Sequence, residues 1–220
     1  MLSYHNDPKI KEEILRQLQA HYDHDEIVHG TYWHLGKGCA VGCTIYSNEH
    51  AEYEERFGIP QVLAHLEDRI FEGLENKDAK RWPLLFMLAI PIGADLSKVW
   101  NHFSLWLLGD PKGGVLQFAR TTKEKEVTSR VIELSQQSLI RNVFDSEWSI
   151  AAHAAYNVAE SYPTSQVAYA AARSANVNNV NAIYASYASR AASDVAGYFN
   201  KSRRYREQAA KLLTLLRQAT

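Results

Sequence analysis

Pro60-Gln61-Val62-Leu63-Ala64-His65-Leu66-Glu67-Asp68-Arg69-Ile70-Phe71-Glu72-Gly73-Leu74 is the stretch that decides the fold class. Leu63, Leu66, Ile70, Phe71 and Leu74 recur at three- and four-residue steps, which lines them along one side of a helix, whereas a half-buried strand would alternate at every second residue. Pro60 suits the start, because the N–H it lacks would have no partner there. Glu67, Asp68, Arg69 and Glu72 then read as the solvated face, with Asp68 and Glu72 four residues apart. Glu52, Glu54 and Glu55 read the same way.

The same signals extend in both directions. Asp7-Pro8 pairs an N-cap residue with proline at the first helical position, and Ile10, Ile14, Leu15, Leu18 and Tyr22 follow in register. Gly30 to Gly38 reads as the first loop, followed by short helices over about residues 39–46 and 48–57, the second closed by Gly58. Beyond the central helix, Asn76 or Asp78 can cap the next one, placing Trp82 and Pro83 in its first turns, and Ile90-Pro91-Ile92-Gly93 ends it. Asp95 or Ser97 caps a helix with Val99, Trp100, Phe103, Trp106 and Leu107 as a core stripe. Thr121 with Glu124 forms a capping box. The expectation is an all-α, multi-helix bundle.

Gly109-Asp110-Pro111-Lys112-Gly113-Gly114 is the strongest loop and divides the chain into halves 1–110 and 115–220, expected to pack as one domain. In the second half composition shifts. Alanine fills about a third of the positions between Ala151 and Tyr198, in loose repeats punctuated by Pro163 and by Asn176 to Asn181. Small residues at helical spacing let helix axes approach closely, with tyrosines filling between layers.

A formal charge of −1 supplies no electrostatic drive toward nucleic acid or an anionic membrane. Lys201-Ser202-Arg203-Arg204-Tyr205-Arg206 is a local exception that reads as a solvated helix face or an anion-docking patch. Pro91, Asp95, Lys98 and His102 interrupt the most apolar stretch, so no membrane span is expected. The start of the chain lacks the basic and apolar regions of a signal peptide, so the two cysteines are expected as reduced thiols in a cytoplasmic protein.

Chemistry-bearing residues crowd the N-terminal side: seven of nine histidines and both cysteines lie within the first 65 residues. Three constellations follow, each beside a structural alternative. His21 and Asp25, at i and i+4, with Cys39 and Cys43 could hold a soft metal such as zinc, although the spacing matches no standard finger. Cys39, after Gly36-Lys37-Gly38 and at a helix start, could be a thiolate nucleophile with His21 or His50 as base and Asp25 or Glu52 orienting it. Glycines 36, 38 and 42 around Lys37 could aim backbone amides at an anion, with Tyr4, Tyr32 or Trp33 stacking on a flat ligand. The alternatives are hydrogen-bonded helix histidines, buried structural thiols, and glycines that permit close packing.

The blocks Gly36-Lys37-Gly38-Cys39-Ala40-Val41-Gly42-Cys43-Thr44, Leu66-Glu67-Asp68-Arg69-Ile70-Phe71-Glu72-Gly73-Leu74 and Ile90-Pro91-Ile92-Gly93-Ala94-Asp95-Leu96 resemble an uncharacterised family of bacterial and phage proteins, over about residues 1–108. That resemblance implies no activity and no catalytic residues. The alanine-rich half, about residues 150–218, resembles the helical repeats of immunity proteins from bacterial toxin systems.

The leading functional expectation is a pocket for a small anionic or nucleotide-like ligand, with Gly36, Lys37, Gly38, Cys39 and Cys43 as floor and Tyr4, His5, His21, Asp25, Trp33 and His50 as walls. The alternatives are a non-catalytic interaction protein, such as an immunity or anti-defence factor, that engages a protein partner near Tyr184 and Tyr187, and an enzyme using Cys39 or a metal. No motif names a cofactor. The small-residue helix faces also allow self-association.

Overall fold

The computed structural model describes residues 1–162, 165–195, 197 and 200–220. Pro163, read above as punctuation, lies outside them. Among the described residues the chain forms eleven α-helices and one two-stranded antiparallel ribbon, so the fold is all-α. It separates into two compact units, Met1–Val99 with Tyr205–Thr220, and Trp100–Arg204. The division falls ahead of the Gly109–Gly114 loop, and the final stretch counts with the first unit.

In the first unit, α1 (Pro8–Asp23) starts as its sequence dictates, the Asp7 carboxylate accepting the Lys9 amide at 2.9 Å. The stretch that reads as a loop contains a ribbon instead, β1 (Trp33–His34) paired with β2 (Lys37–Gly38). Leu35 and Gly36 turn between them with φ of 49° and 81°, and Gly36 takes that left-handed geometry without steric cost. Next come α2 (Ala40–Ile45), α3 (Glu52–Phe57) and α4 (Gln61–Gly73). Gly58 ends α3 in the left-handed conformation.

Helix α5 (Asn76–Ala89) departs from expectation, because Pro83 sits in its interior and not in its first turns. The missing N–H costs about 3 kcal/mol in an isolated helix. Burial of Trp82, Phe86 and Met87 on the same helix offsets it, at roughly 1.5–3 kcal/mol per large side chain. The apolar side of α4 is buried as read, but its other side is covered too. Glu67 is fully buried and Asp68 half-buried, so this is not the wet face that its charges suggest.

In the second unit, α6 (Val99–Gly109) leads into α7 (Thr122–Ser138), whose N-terminus shows the expected capping box between Thr121 and Glu124. The alanine-rich segment forms α8 (Asp145–Ser161), α9 (Gln166–Asn179) and α10 (Tyr184–Val195). Its alanines face inward: Ala155, Ala168, Ala171, Ala175, Ala185 and Ala188 are completely buried. Ser174, Ser189 and Ser193 are completely buried among them. The last helix, α11 (Lys201–Gln218), belongs to the first unit from Tyr205 onward.

Candidate functional site

Helix α2 is the pivot of the predicted site, and the close approach of the Tyr32 backbone explains its glycines. A β-carbon on Gly42 would stand 1.2 Å from the Tyr32 carbonyl oxygen, and one on Gly38 would stand 2.2 Å from the same atom. Three amides of this segment are already committed. Gly38 N–H donates to the Glu26 carbonyl at 3.0 Å, Cys39 N–H to the Thr31 carbonyl at 2.6 Å, and Gly42 N–H to Cys39 Sγ at 3.5 Å. Gly38 and Gly42 therefore serve packing, and the Gly38, Cys39 and Gly42 amides of the expected anion cradle over Gly36 to Cys43 are engaged within the chain.

Both thiols sit where burial opposes ionisation. Cys39 caps α2 as foreseen, but burial and the nearby Asp68 carboxylate push its pKa far above the ordinary thiol range, outweighing the Gly42 amide. Cys43 donates to the Gly38 carbonyl at 3.3 Å, and burial pushes it up to about 12. In both, burial favours the neutral thiol over the thiolate. Among the described residues, no three His, Cys, Asp or Glu side chains are arranged to hold a metal ion.

The predicted pocket walls scatter: His21 and Trp33 pack together, while Tyr4, His5 and Asp25 are engaged elsewhere. Tyr4 is fully buried and its hydroxyl donates to the Met87 carbonyl at 2.6 Å. His5 Nε2 meets the Glu55 carbonyl at 3.0 Å. Asp25 is exposed and paired with Lys80, and Lys37 is exposed on β2. What remains falls into two clusters.

In the first cluster His21 Nδ1 lies 2.6 Å from Glu26 Oε2, and the Tyr46 hydroxyl donates to its Nε2 at 3.2 Å. Trp33 packs edge-on against both rings, at 5.4 Å from His21 and 4.7 Å from Tyr46. Both imidazole nitrogens are satisfied internally. This histidine braces α1 against the Glu26 and Tyr46 segments.

The second cluster differs in that respect. His50 is 7 % exposed and its Nδ1–H donates to the Asn48 carbonyl at 3.0 Å. That bond leaves Nε2 on the side of the ring away from Asn48. Nε2 is buried without a hydrogen-bond partner, 3.7 Å from Asp68 Oδ2. His50 Nε2 and the Asp68 carboxylate thus face each other beyond hydrogen-bond distance. His65 stacks on His50 with centroids 4.0 Å apart, and burial followed by the His50 charge lowers its pKa to about 4. Tyr32, 43 % exposed, meets His50 edge-on at 5.9 Å. Burial first, then Asp68, raises the Tyr32 pKa, while Arg69 pulls it down. Arg69 Nε is also buried without a partner.

No family model, curated protein or solved structure matches the chain. The site therefore rests on its geometry. Satisfaction of polar groups separates candidate from brace, since buried polar atoms are nearly always paired. His50 and Arg69 carry such unpaired atoms, and with Asp68, Tyr32 and the stacked His65 beside them they form the candidate site. His21 belongs to the scaffold. The larger pocket of the second unit, about 400 Å³, has its acids engaged: Glu124 accepts the Ser165 hydroxyl at 2.5 Å, and Asp194 pairs with Lys201 at 2.6 Å.

The sequence pointed to His50 and to Cys39 nearby, and missed His65, Asp68 and Arg69. The Asp68/Glu72 spacing was visible, but only the fold reveals that the 29–39 segment covers it. Gly30 N–H donates to Glu72 Oε1 at 3.0 Å, and His29 Nε2 meets the Phe71 carbonyl at 3.1 Å.

Proposed function

We propose that the first unit binds a small polar molecule that inserts an N–H or O–H donor between His50 Nε2 and Asp68. The unpartnered, buried His50 nitrogen carries this reading. An amine suits the position best, because its hydrogen bond to the Asp68 carboxylate is charge-assisted and the exposed face of Tyr32 favours a cation. Arg69 Nε–H offers a donor for an acceptor elsewhere on the same molecule. The reading keeps the small-ligand class expected from the sequence and replaces the anion, because the walls carry Asp68 and Glu72 and the amides near Lys37 are spent.

Among the described residues no helix is long and apolar enough to cross a membrane. A cytoplasmic setting fits this reading, with both thiols free and buried.

Native mass spectrometry of the protein purified from cells, beside a denatured control, tests the proposal. An added mass that leaves on denaturation is expected, reduced at least tenfold in occupancy by Asp68→Asn and unchanged by Lys37→Ala. An adduct that Asp68→Asn retains in full would place the ligand elsewhere.

A further inference from the structure

Between α1 and α3 the first unit carries a pocket of about 250 Å³, lined by Ile10, Glu13, Ile14, Gln17, Arg56 and Phe57. At roughly 30 Å³ per water, it has room for about eight waters, so it suits a molecule of about ten non-hydrogen atoms and is too small for a nucleotide. Its chemistry divides into three parts. Ile10 and Ile14, a turn apart on α1, and Phe57 on α3 offer an apolar wall.

Arg56 offers a cation whose position is fixed. Its Nη1 donates to the Ile45 carbonyl at 3.1 Å and stands 3.6 Å from Glu52 Oε2, and the guanidinium lies 5.2 Å from the Phe57 ring centroid. Those contacts engage Nη1 and leave the other edge of the fork for a planar anion such as a carboxylate. Gln17 is fixed as well, since its Nε2 donates to the carbonyls of Cys43 and Thr44 at 2.7 and 3.0 Å. Its Oε1, an acceptor, remains for the pocket, as does the Glu13 carboxylate. The lining thus combines apolar surface, a guanidinium that can donate to an anion, and acceptors that suit a cation.

We infer that this pocket is a second binding site of the first unit and takes a free α-amino acid with an apolar side chain. The ligand carboxylate meets Arg56, its ammonium meets Glu13 and Gln17 Oε1, and its side chain lies on Ile10, Ile14 and Phe57. Anchors of both signs select the zwitterion over either charged half, because each half leaves one charged wall facing nothing.

Isothermal titration of the full chain with L-leucine, isopentylamine and 4-methylpentanoate tests this. Leucine is expected to bind, and each analogue to bind at least tenfold more weakly. Glu13→Gln, at an exposed position, should weaken leucine at least tenfold while leaving the melting temperature unchanged. Arg56→Gln should weaken it comparably, and Asp68→Asn should leave it unchanged, which separates this pocket from the His50 site. Absence of leucine binding would overturn the inference. So would equal binding of the amine or the acid, or loss of leucine binding in Asp68→Asn.

Discussion

Gly42→Ala is expected to abolish folding of the first unit. Helix propensity alone gives the opposite sign, since alanine in place of glycine within a helix gains roughly 0.5–1 kcal/mol. The added β-carbon, however, would lie 1.2 Å from the Tyr32 carbonyl oxygen and 2.3 Å from its carbonyl carbon. Both are backbone atoms, so no rotamer change relieves the overlap and the 29–39 segment must lift away. Overpacking that a core can accommodate costs about 1–3 kcal/mol. Displacing this segment also strips the hydrogen bonds of Gly38 N–H to Glu26 and of Gly30 N–H to Glu72. The total is a large part of the ~5–15 kcal/mol that holds an ordinary domain together. Gly36→Ala is the control. Its β-carbon meets nothing within 4 Å, so only the left-handed φ of +81° is penalised, at about 1–2 kcal/mol. Urea unfolding of the two variants should show a folded Gly36→Ala and an unfolded or molten first unit in Gly42→Ala. Equal midpoints would contradict the close approach.

Replacing Glu67 is expected to change how stability depends on pH. Glu67 is completely buried: Tyr53 O–H donates to its Oε2 at 2.6 Å, and Oε1 has no hydrogen-bond partner. Burial above all, with Asp68 adding to it and the Tyr53 bond opposing, raises its pKa from 4.5 to about 8. The native state therefore keeps a proton that the unfolded chain has lost between those values. Its contribution is fully present below about pH 4.5 and falls as pH rises toward 8. The slope is about 1.4 kcal/mol per pH unit. His65 acts in the opposite sense. Its pKa is lowered from 6.5 to about 4, so its contribution is present above pH 6.5 and is lost as pH falls through that interval. The two effects offset each other between about pH 4.5 and 6.5, and Glu67 acts alone above that. Glu67→Gln, neutral at every pH and still able to accept from Tyr53, should gain stability over wild type by a few kcal/mol between pH 5 and 8. Denaturant unfolding of both proteins at pH 5, 6.5 and 8 measures it. A difference that does not vary with pH would show that Glu67 ionises normally in the fold.

Short-range signals are legible in the residue order itself. Asp7-Pro8 and Thr121 with Glu124 mark their helix starts because each cap involves residues two or three apart in the chain. The apolar side of α4 is equally legible, since burial follows the period. The ribbon at Trp33–Gly38 is not, because two residues per strand are too few to show alternation. Pro83 misleads for a different reason. Its helix begins where the sequence allows, yet tertiary burial carries it through a residue that local preference would exclude.

The candidate site depends on return contacts that spacing does not encode. Glu67 reads as solvated, but Tyr53 and Trp82 cover it, the Trp82 indole N–H donating to its carbonyl at 3.0 Å. The glycines of 36–42 offer two readings, and the position of the Tyr32 carbonyl decides between them. The histidines give a correct neighbourhood and a misleading grouping: His21 and His50 both flank α2, yet one is fully bonded and the other is not.

That contrast is the centre of the account, and side-chain nitrogen NMR tests it most directly. Imidazole 15N shifts would be recorded while methylammonium chloride is titrated into the protein, with sodium chloride at matched ionic strength as the reference. The account predicts that His50 Nε2 moves with the amine, that the movement disappears in Asp68→Asn, and that both nitrogens of His21 stay fixed. A silent His50, or a His21 that moves as far, would contradict it.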